Sequence, residues 1–275
     1  MPELPETETI ARDLDRAIAG ARIVGVTVTR PDVLRETDAE SLADEILGDT
    51  IERCWRRAKM VVIDLSTGNR LVVQPRFTGA LLIDSGSLPE HERLYSTLAI
   101  QLDDGRALHY RDIRRLGTVA LMSPDRWKAY SSTFGVEPLD PEFRPDHLSV
   151  VLRGSKQAVK KLLMDQRRIA GIGNIYANEA LWRAGIDPSR EARTLTASET
   201  AALHHSIVSL LCEAIEARGT SFRDYRDASG ERGGFAAQLA VYGRGGQACP
   251  RCGARLVATN AIDGRSTVFC ASCQS

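Results

Sequence analysis

The chain has 275 residues, 43% of them hydrophobic, and its 36 Lys+Arg balance its 36 Asp+Glu. That length accommodates two domains, or one large domain with an appendage, and a core that needs no disulfide support. No long apolar run offers a membrane span, the acidic opening Met-Pro-Glu-Leu-Pro-Glu lacks the apolar region of a secretory signal, and the hydrophobic content argues against disorder, so a soluble cytosolic protein is expected.

After Pro5, the spacing of Ile10, Leu14, Ala17 and Ile18 predicts a helix over 6–19, stopped by Gly20. From Ile23 to about Met122 the pattern changes to short apolar runs at 23–28, 60–63, 71–73, 80–83, 98–100 and 118–121, broken by turn residues. Many short strands in one region predict a β-sandwich or barrel. Residues 131–148 are rich in proline and read as a linker. Helices are then expected at 156–164, at 175–184 before Gly185, and from the capping box Thr196-Ala-Ser-Glu199 to about residue 217. The expected organisation is an N-terminal β-sandwich (1–130), the linker, a helical domain (149–235) and a C-terminal module (236–275).

That last module is the strongest physical signal in the chain. Cys249, Cys252, Cys270 and Cys273 form C-x2-C-x17-C-x2-C, with two short strands expected between the pairs around Asp263-Gly264. Paired thiols on two knuckles suit one tetrahedral Zn²⁺ in a ribbon hairpin, and four protein ligands mark the metal as structural. Cys54 and Cys212 lie in apolar surroundings and read as buried, inert thiols.

Three further features bear on chemistry. Pro2 would carry a secondary amine once Met1 is removed, and such an amine, partly neutral near pH 7, can attack a carbonyl-level carbon. Glu3 and Glu6 lie alongside as a candidate acid and base. The turn Ile169-Ala-Gly-Ile-Gly-Asn174 places Asn174 at the N-cap of the next helix, a position that favours an anion, and Lys160, Arg167 and Arg168 flank it. This is a helix-turn-helix geometry for clamping a DNA phosphate. Although the net charge is zero, residues 153–168 carry six basic side chains against one acid, which permits a polyanion footprint on one face. Finally, the Gly-rich stretch 218–235 is long enough to be functional in its own right.

Together these residues resemble the formamidopyrimidine-DNA glycosylases, a family of bacterial oxidised-purine repair enzymes. The resemblance spans nearly the whole chain. It rests on Pro2-Glu-Leu-Pro-Glu6, Arg56-Arg-Ala-Lys59, Arg111-Asp-Ile-Arg114-Arg-Leu-Gly117, Gly171-Ile-Gly-Asn174-Ile-Tyr, Val241-Tyr-Gly-Arg244 and the terminal cysteines. It implies an α+β multidomain fold: a β-sandwich with a leading helix, a helix-two-turn-helix domain and a four-cysteine zinc ribbon. It also implies a monomeric glycosylase and abasic-site lyase acting on duplex DNA, with Pro2 as nucleophile and Glu3, Glu6 and Lys59 in the catalytic set.

Lys59, Asn174 and Arg265 match the family's phosphate contacts, with Gln74 where a histidine is usual. Tyr242 and Arg244, in a matching motif, and Lys160 join the expected DNA-binding set. Arg114 matches the arginine that reads the orphaned cytosine. The loop that fills the hole left by the flipped base is usually His-Leu-Gly-Met or similar and is here Gln74-Pro-Arg-Phe77, while Leu116 replaces the usual Phe beside it. The resemblance makes 218–235 the loop that closes over the flipped base. Two other readings are an endonuclease VIII-type enzyme for oxidised pyrimidines and a non-catalytic DNA-binding protein of the same fold.

Overall fold

The computed structural model describes residues 2–221 and 225–275, which divide into two compact units. The first comprises the chain up to Ser132 together with Ala217–Ala236, and the second Thr133–Glu216 with Ala237–Ser275.

The first unit opens with α1 (Leu4–Ile18), whose apolar face Ile10, Leu14 and Ile18 is fully buried. It continues through β1 (Ile23–Val28), β2 (Leu34–Arg35), α2 (Ala39–Ile46), β3 (Ile51–Arg57), β4 (Met60–Leu65), β5 (Arg70–Gln74), β6 (Gly79–Asp84), α3 (Glu90–Arg93), β7 (Ser96–Leu102), β8 (Ala107–Asp112), β9 (Thr118–Met122) and α4 (Pro124–Ser131). The strands form two sheets, ordered β1-β7-β8-β6 and β2-β9-β5-β4-β3. Their facing residues make one core, with Val61, Ile63, Leu71, Val73 and Val119 from the second sheet and Leu81, Leu98, Ile100, Leu108 and Tyr110 from the first. The expected sandwich is therefore present. Its central strands are legible as short continuous apolar runs because consecutive residues such as Met60–Ile63 and Leu71–Val73 are all buried.

Register decides what lies at the end of this sandwich. Val61 pairs with Val73, and Gln74 pairs with Thr118. The Ala58-Lys59 turn, the 75–78 crossover and the 113–117 crossover therefore lie at the same end of the unit.

In the second unit, α5 (Pro145–Arg153), α6 (Val159–Leu163), α7 (Asn174–Ala184) and α8 (Ala197–Glu216) precede a hairpin of β10 (Val257–Thr259) and β11 (Thr267–Phe269). The capping box is formed: the Glu199 N–H donates to Thr196 Oγ1 at 3.2 Å, and the Thr196 N–H donates to Glu199 Oε2 at 2.8 Å. Gly185 ends α7 with φ 72°, as its position suggests.

Several expectations are corrected. The 131–148 stretch is no independent linker: residues from Thr133 belong to the second unit, and Pro145 opens a helix at its first turn, where proline's missing N–H costs nothing. The 218–235 stretch packs with the sandwich, not with the helices, since Tyr225 and Ala228 join its core and the Ile83 N–H donates to Ala228 O at 3.0 Å. Residues 222–224 of that stretch lie outside the described residues. The cysteine module packs with the helices rather than standing alone. Cys212 is exposed, whereas Cys54 is buried as expected and burial pushes its thiol up.

Candidate active site and nucleic-acid interface

Pro2, Glu3 and Glu6 are brought together by the first turn of α1. Pro2 is buried, and the side chains of Glu3 and Glu6 form a capping box across that turn. The Glu3 N–H donates to Glu6 Oε2 at 2.8 Å, and the Thr220 N–H donates to Glu6 Oε1 at 2.7 Å. Glu6 was expected as an acid or base; both of its oxygens are engaged by backbone, so it acts here as the anchor joining the chain start to the 217–236 segment. Gly219 makes the approach possible. It has φ 81°, and a Cβ there would stand 2.9 Å from Glu6 Cγ. Arg218 completes the attachment by donating to Asp13 of α1 and to Asp227.

Lys59 sits in the two-residue turn between β3 and β4, with Ala58 at φ 53°. Arg56 sets this turn against α1: its Nε donates to Glu8 at 2.7 Å and its Nη1 to Ala58 O at 3.1 Å. The side chain is only 8% exposed. This positioning role was not foreseen from the sequence, although strand alternation places Arg56 on the same face as buried Cys54.

Gln74, Phe77, Arg114 and Leu116 are gathered at the two crossovers. Phe77 and Leu116 are 45% and 42% exposed, large apolar side chains left in solvent, and the Arg114 guanidinium lies 5.2 Å from the centre of the Phe77 ring. What holds them is Asp112, which is 1% exposed. Its carboxylate accepts from the Thr78 hydroxyl, the Gly117 N–H at 2.8 Å, the Arg114 N–H at 3.3 Å and the Tyr110 hydroxyl at 3.3 Å. One buried side chain thus ties both loops. Gly117 must be glycine, because a Cβ would fall 1.8 Å from the Tyr110 hydroxyl.

In the second unit, Asn174 is the first helical residue of α7 and Gly173 is the N-cap, a correction of one position. Its side chain donates to Ser266 O at 3.0 Å, which places it beside exposed Arg265 in the ribbon hairpin. Lys160 is the larger correction. Expected at a DNA-facing surface, it is completely buried, its Nζ 2.8 Å from Thr267 Oγ1, 3.3 Å from Ser266 O and 3.8 Å from Asp263. It braces the hairpin that carries Arg265. Tyr242 and Arg244 follow a segment held by Glu179, a buried carboxylate that accepts from the N–H groups of Ala240, Val241 and Tyr242 at 2.7–2.9 Å. Arg244 is half-buried and bonds its own loop through Ala240 O and Gln247.

The four cysteine sulfurs lie within 4.8 Å of one another. A tetrahedron of metal–sulfur bonds of about 2.3 Å requires sulfurs about 3.8 Å apart, so the cluster fits a metal ion. Burial opposes the Cys249 thiolate, yet the backbone N–H groups of Arg251 and Cys252 bring it down to about 6, while Cys252 beside it holds Cys273 up to about 12.

Sequence models of known families match three parts of the chain: the formamidopyrimidine-DNA glycosylase N-terminal domain over residues 1–119, the H2TH domain of the same enzymes over 134–226, and the zinc finger found in FPG and IleRS over 246–275. The chain belongs to the formamidopyrimidine-DNA glycosylase family. Two curated formamidopyrimidine-DNA glycosylases, from Pelotomaculum thermopropionicum and Chloroflexus aggregans, are 41% and 42% identical to it, covering all of this chain and 99% and 98% of theirs. The structure of Lactococcus lactis Fpg in complex with an abasic-site DNA superposes with TM-score 0.91 at 35% identity over 99% of both chains. A second complex, of the same enzyme with oxidised-pyrimidine DNA, gives 0.90 at 34% over the full length of both. A formamidopyrimidine-DNA glycosylase is a base-excision repair enzyme that binds DNA, and the expected α+β fold with its zinc finger holds throughout.

Two outcomes follow from this geometry. Asp112→Asn leaves the four donors with one fewer acceptor oxygen and should cost about 2 kcal/mol. Amide hydrogen exchange at Arg114 and Gly117 should accelerate at least about tenfold; unchanged exchange would remove Asp112 as the clamp. Lys160→Met should destabilise the second unit by about 3 kcal/mol, because Asp263 loses its buried partner. The salt dependence of DNA binding should stay as it was, and a flattened salt slope would return Lys160 to the DNA surface.

Proposed function

We propose that the protein is a bifunctional DNA glycosylase and abasic-site lyase that removes oxidised purines, 8-oxoguanine and formamidopyrimidines, from duplex DNA as a monomer. The observation that carries this reading is the fixed chain start: Pro2 is buried beside Glu3, and the backbone around it is held by Glu6. A neutral secondary amine at Pro2 attacks C1′ of the sugar, and the damaged base departs. Glu3 protonates the ring oxygen as the sugar opens, leaving an iminium. That cation acidifies the C2′ proton, so β-elimination and then δ-elimination break the two flanking phosphodiesters, and water hydrolyses the remaining iminium to an aldehyde and frees Pro2. An amide nitrogen cannot perform the attack, so Met1 must be removed first.

Flipping the base out of the stack costs a few kcal/mol, less for a damaged base. Phe77 and Leu116, exposed and clamped, suit the role of filling the hole, while Arg114 beside the Phe77 ring reads the opposite cytosine. Lys59, Asn174 and Arg265 contact the phosphates. One Zn²⁺ held by Cys249, Cys252, Cys270 and Cys273 stabilises the hairpin that presents Arg265.

The related Lactococcus lactis complexes include both a Fapy-dG DNA and an oxidised-pyrimidine DNA, so a substrate panel must contain both classes. Borohydride trapping on duplexes containing 8-oxoguanine, formamidopyrimidine or thymine glycol should give a covalent adduct, fastest with the purine lesions. Protein retaining Met1 should bind the same duplexes without cross-linking. Normal trapping by the Met1-bearing form would exclude Pro2 as the nucleophile, and faster trapping on thymine glycol would favour the pyrimidine reading.

For the metal, one zinc per chain is expected by elemental analysis. Cys249→Ser should lose it and unfold the β10–β11 hairpin, with the β-sandwich retaining its circular dichroism. A metal-free native protein would remove zinc from this account.

A further inference from the structure

Five non-glycine residues of the described chain adopt left-handed backbone: Glu36, Ala58, Arg76, Arg115 and Arg218. Four of them are charged, and three of those four have a clear partner. Glu36 pairs with Arg126, Arg115 with Asp32 at 3.2 Å, and Arg218 with Asp13 and Asp227. Arg76, at φ 54°, is exposed and has no carboxylate partner among the described residues. Glycine would occupy this conformation at lower cost. Local folding therefore gives no reason for an arginine here.

Its surroundings do. Arg76 lies between Gln74 and Phe77, at the end of the sandwich that also carries the Lys59 turn. It lines a cavity of about 290 Å³ together with Gln74, Arg35, Thr118, Met60 and Tyr130. The Arg35 guanidinium donates to the carbonyls of Asp32 and Leu34, neutral acceptors that leave its charge uncancelled. The one carboxylate at the rim, Glu36, is taken by Arg126 at 2.8 Å. The cavity is thus cationic, has an amide donor, and opens beside the exposed wedge.

We propose that Arg76 is a DNA-backbone contact whose guanidinium binds a phosphodiester seated in this cavity next to Gln74. This rests on the nucleic-acid reading above and adds to it a cation that no other feature assigns. A phosphate oxygen pair matches the planar fork of arginine, and the charge is independent of pH. The strained backbone holds the side chain at the loop's turning point, which is where an outlier of this kind is expected to serve function rather than stability.

The experiment combines two measurements on Arg76→Gly. Binding to duplexes with and without a tetrahydrofuran abasic analogue is followed from 50 to 200 mM salt, and thermal unfolding is recorded without DNA. The glycine variant should unfold about 2–4 °C higher. Its slope of log K against log salt should flatten by about 0.9, with both duplexes weakened alike. Arg76→Lys should keep the wild-type slope. An unchanged slope in the glycine variant would overturn the contact, even with the rise in stability. If the unaltered chain showed no salt-dependent DNA binding, the nucleic-acid reading itself would fall and this contact with it.

Discussion

The chemistry proposed for the start of the chain needs an unusual constraint, because ends of chains are ordinarily the least ordered part of a fold. Here a single carboxylate supplies it. Glu6 accepts from the N–H of Glu3 on one side and from the N–H of Thr220 on the other. One bond fixes the first turn of α1, and the other fixes that turn to a segment more than 200 residues away in sequence. Both acceptor oxygens lie in a buried setting, where charge-assisted bonds to backbone are strong and an orphaned N–H is costly. The position of residue 2 is thus determined by the fold rather than by the flexibility of an end.

The same logic recurs at the 75–78 and 113–117 crossovers and in the segment that leads into the ribbon. Asp112 gathers three donors from two crossovers and a fourth from Tyr110 of its own strand, and Glu179 gathers three from one segment. Each is a buried acid spent on loop geometry, and each lies behind residues expected to touch DNA. Preorganisation of this kind lowers the entropy lost when the loops engage a duplex. It also explains how aromatic and aliphatic side chains remain exposed at fixed positions without collapsing onto the surface.

Much of this was legible in the chain. The short apolar runs of the sandwich, the helix closed by Gly185 and the knuckles of Cys249 and Cys270 each follow local rules that tertiary structure did not override. What escaped depends on distant partners. Lys160 looks like every other lysine in a basic cluster, and only Thr267, Ser266 and Asp263 from the hairpin make it a buried brace. The helix at Pro145 was hidden because prolines read as breakers unless the N1 position is recognised. Glu6 could be singled out as chemically suggestive, but its second bond comes from Thr220, and nothing in the N-terminal motif announces that partner. The role of Arg76 was equally hidden, since a turn with positive φ cannot be seen in a residue type that normally avoids it.

The path of the backbone between the two units has a consequence for dissecting the protein. The chain leaves the sandwich after Ser132, returns to it at Ala217 and leaves again after Ala236. Tyr225 and Ala228, which follow the helices in sequence, supply part of the sandwich core. Neither unit is therefore a contiguous gene fragment. A protein truncated after α4 would lack two of its own core residues and the N–H that Glu6 requires, and a helical fragment ending at Glu216 would lack the ribbon packed against α7. Separate expression of either half calls for splicing the returning segment back through a designed linker, or for rearranging the termini so that each unit is encoded in one piece.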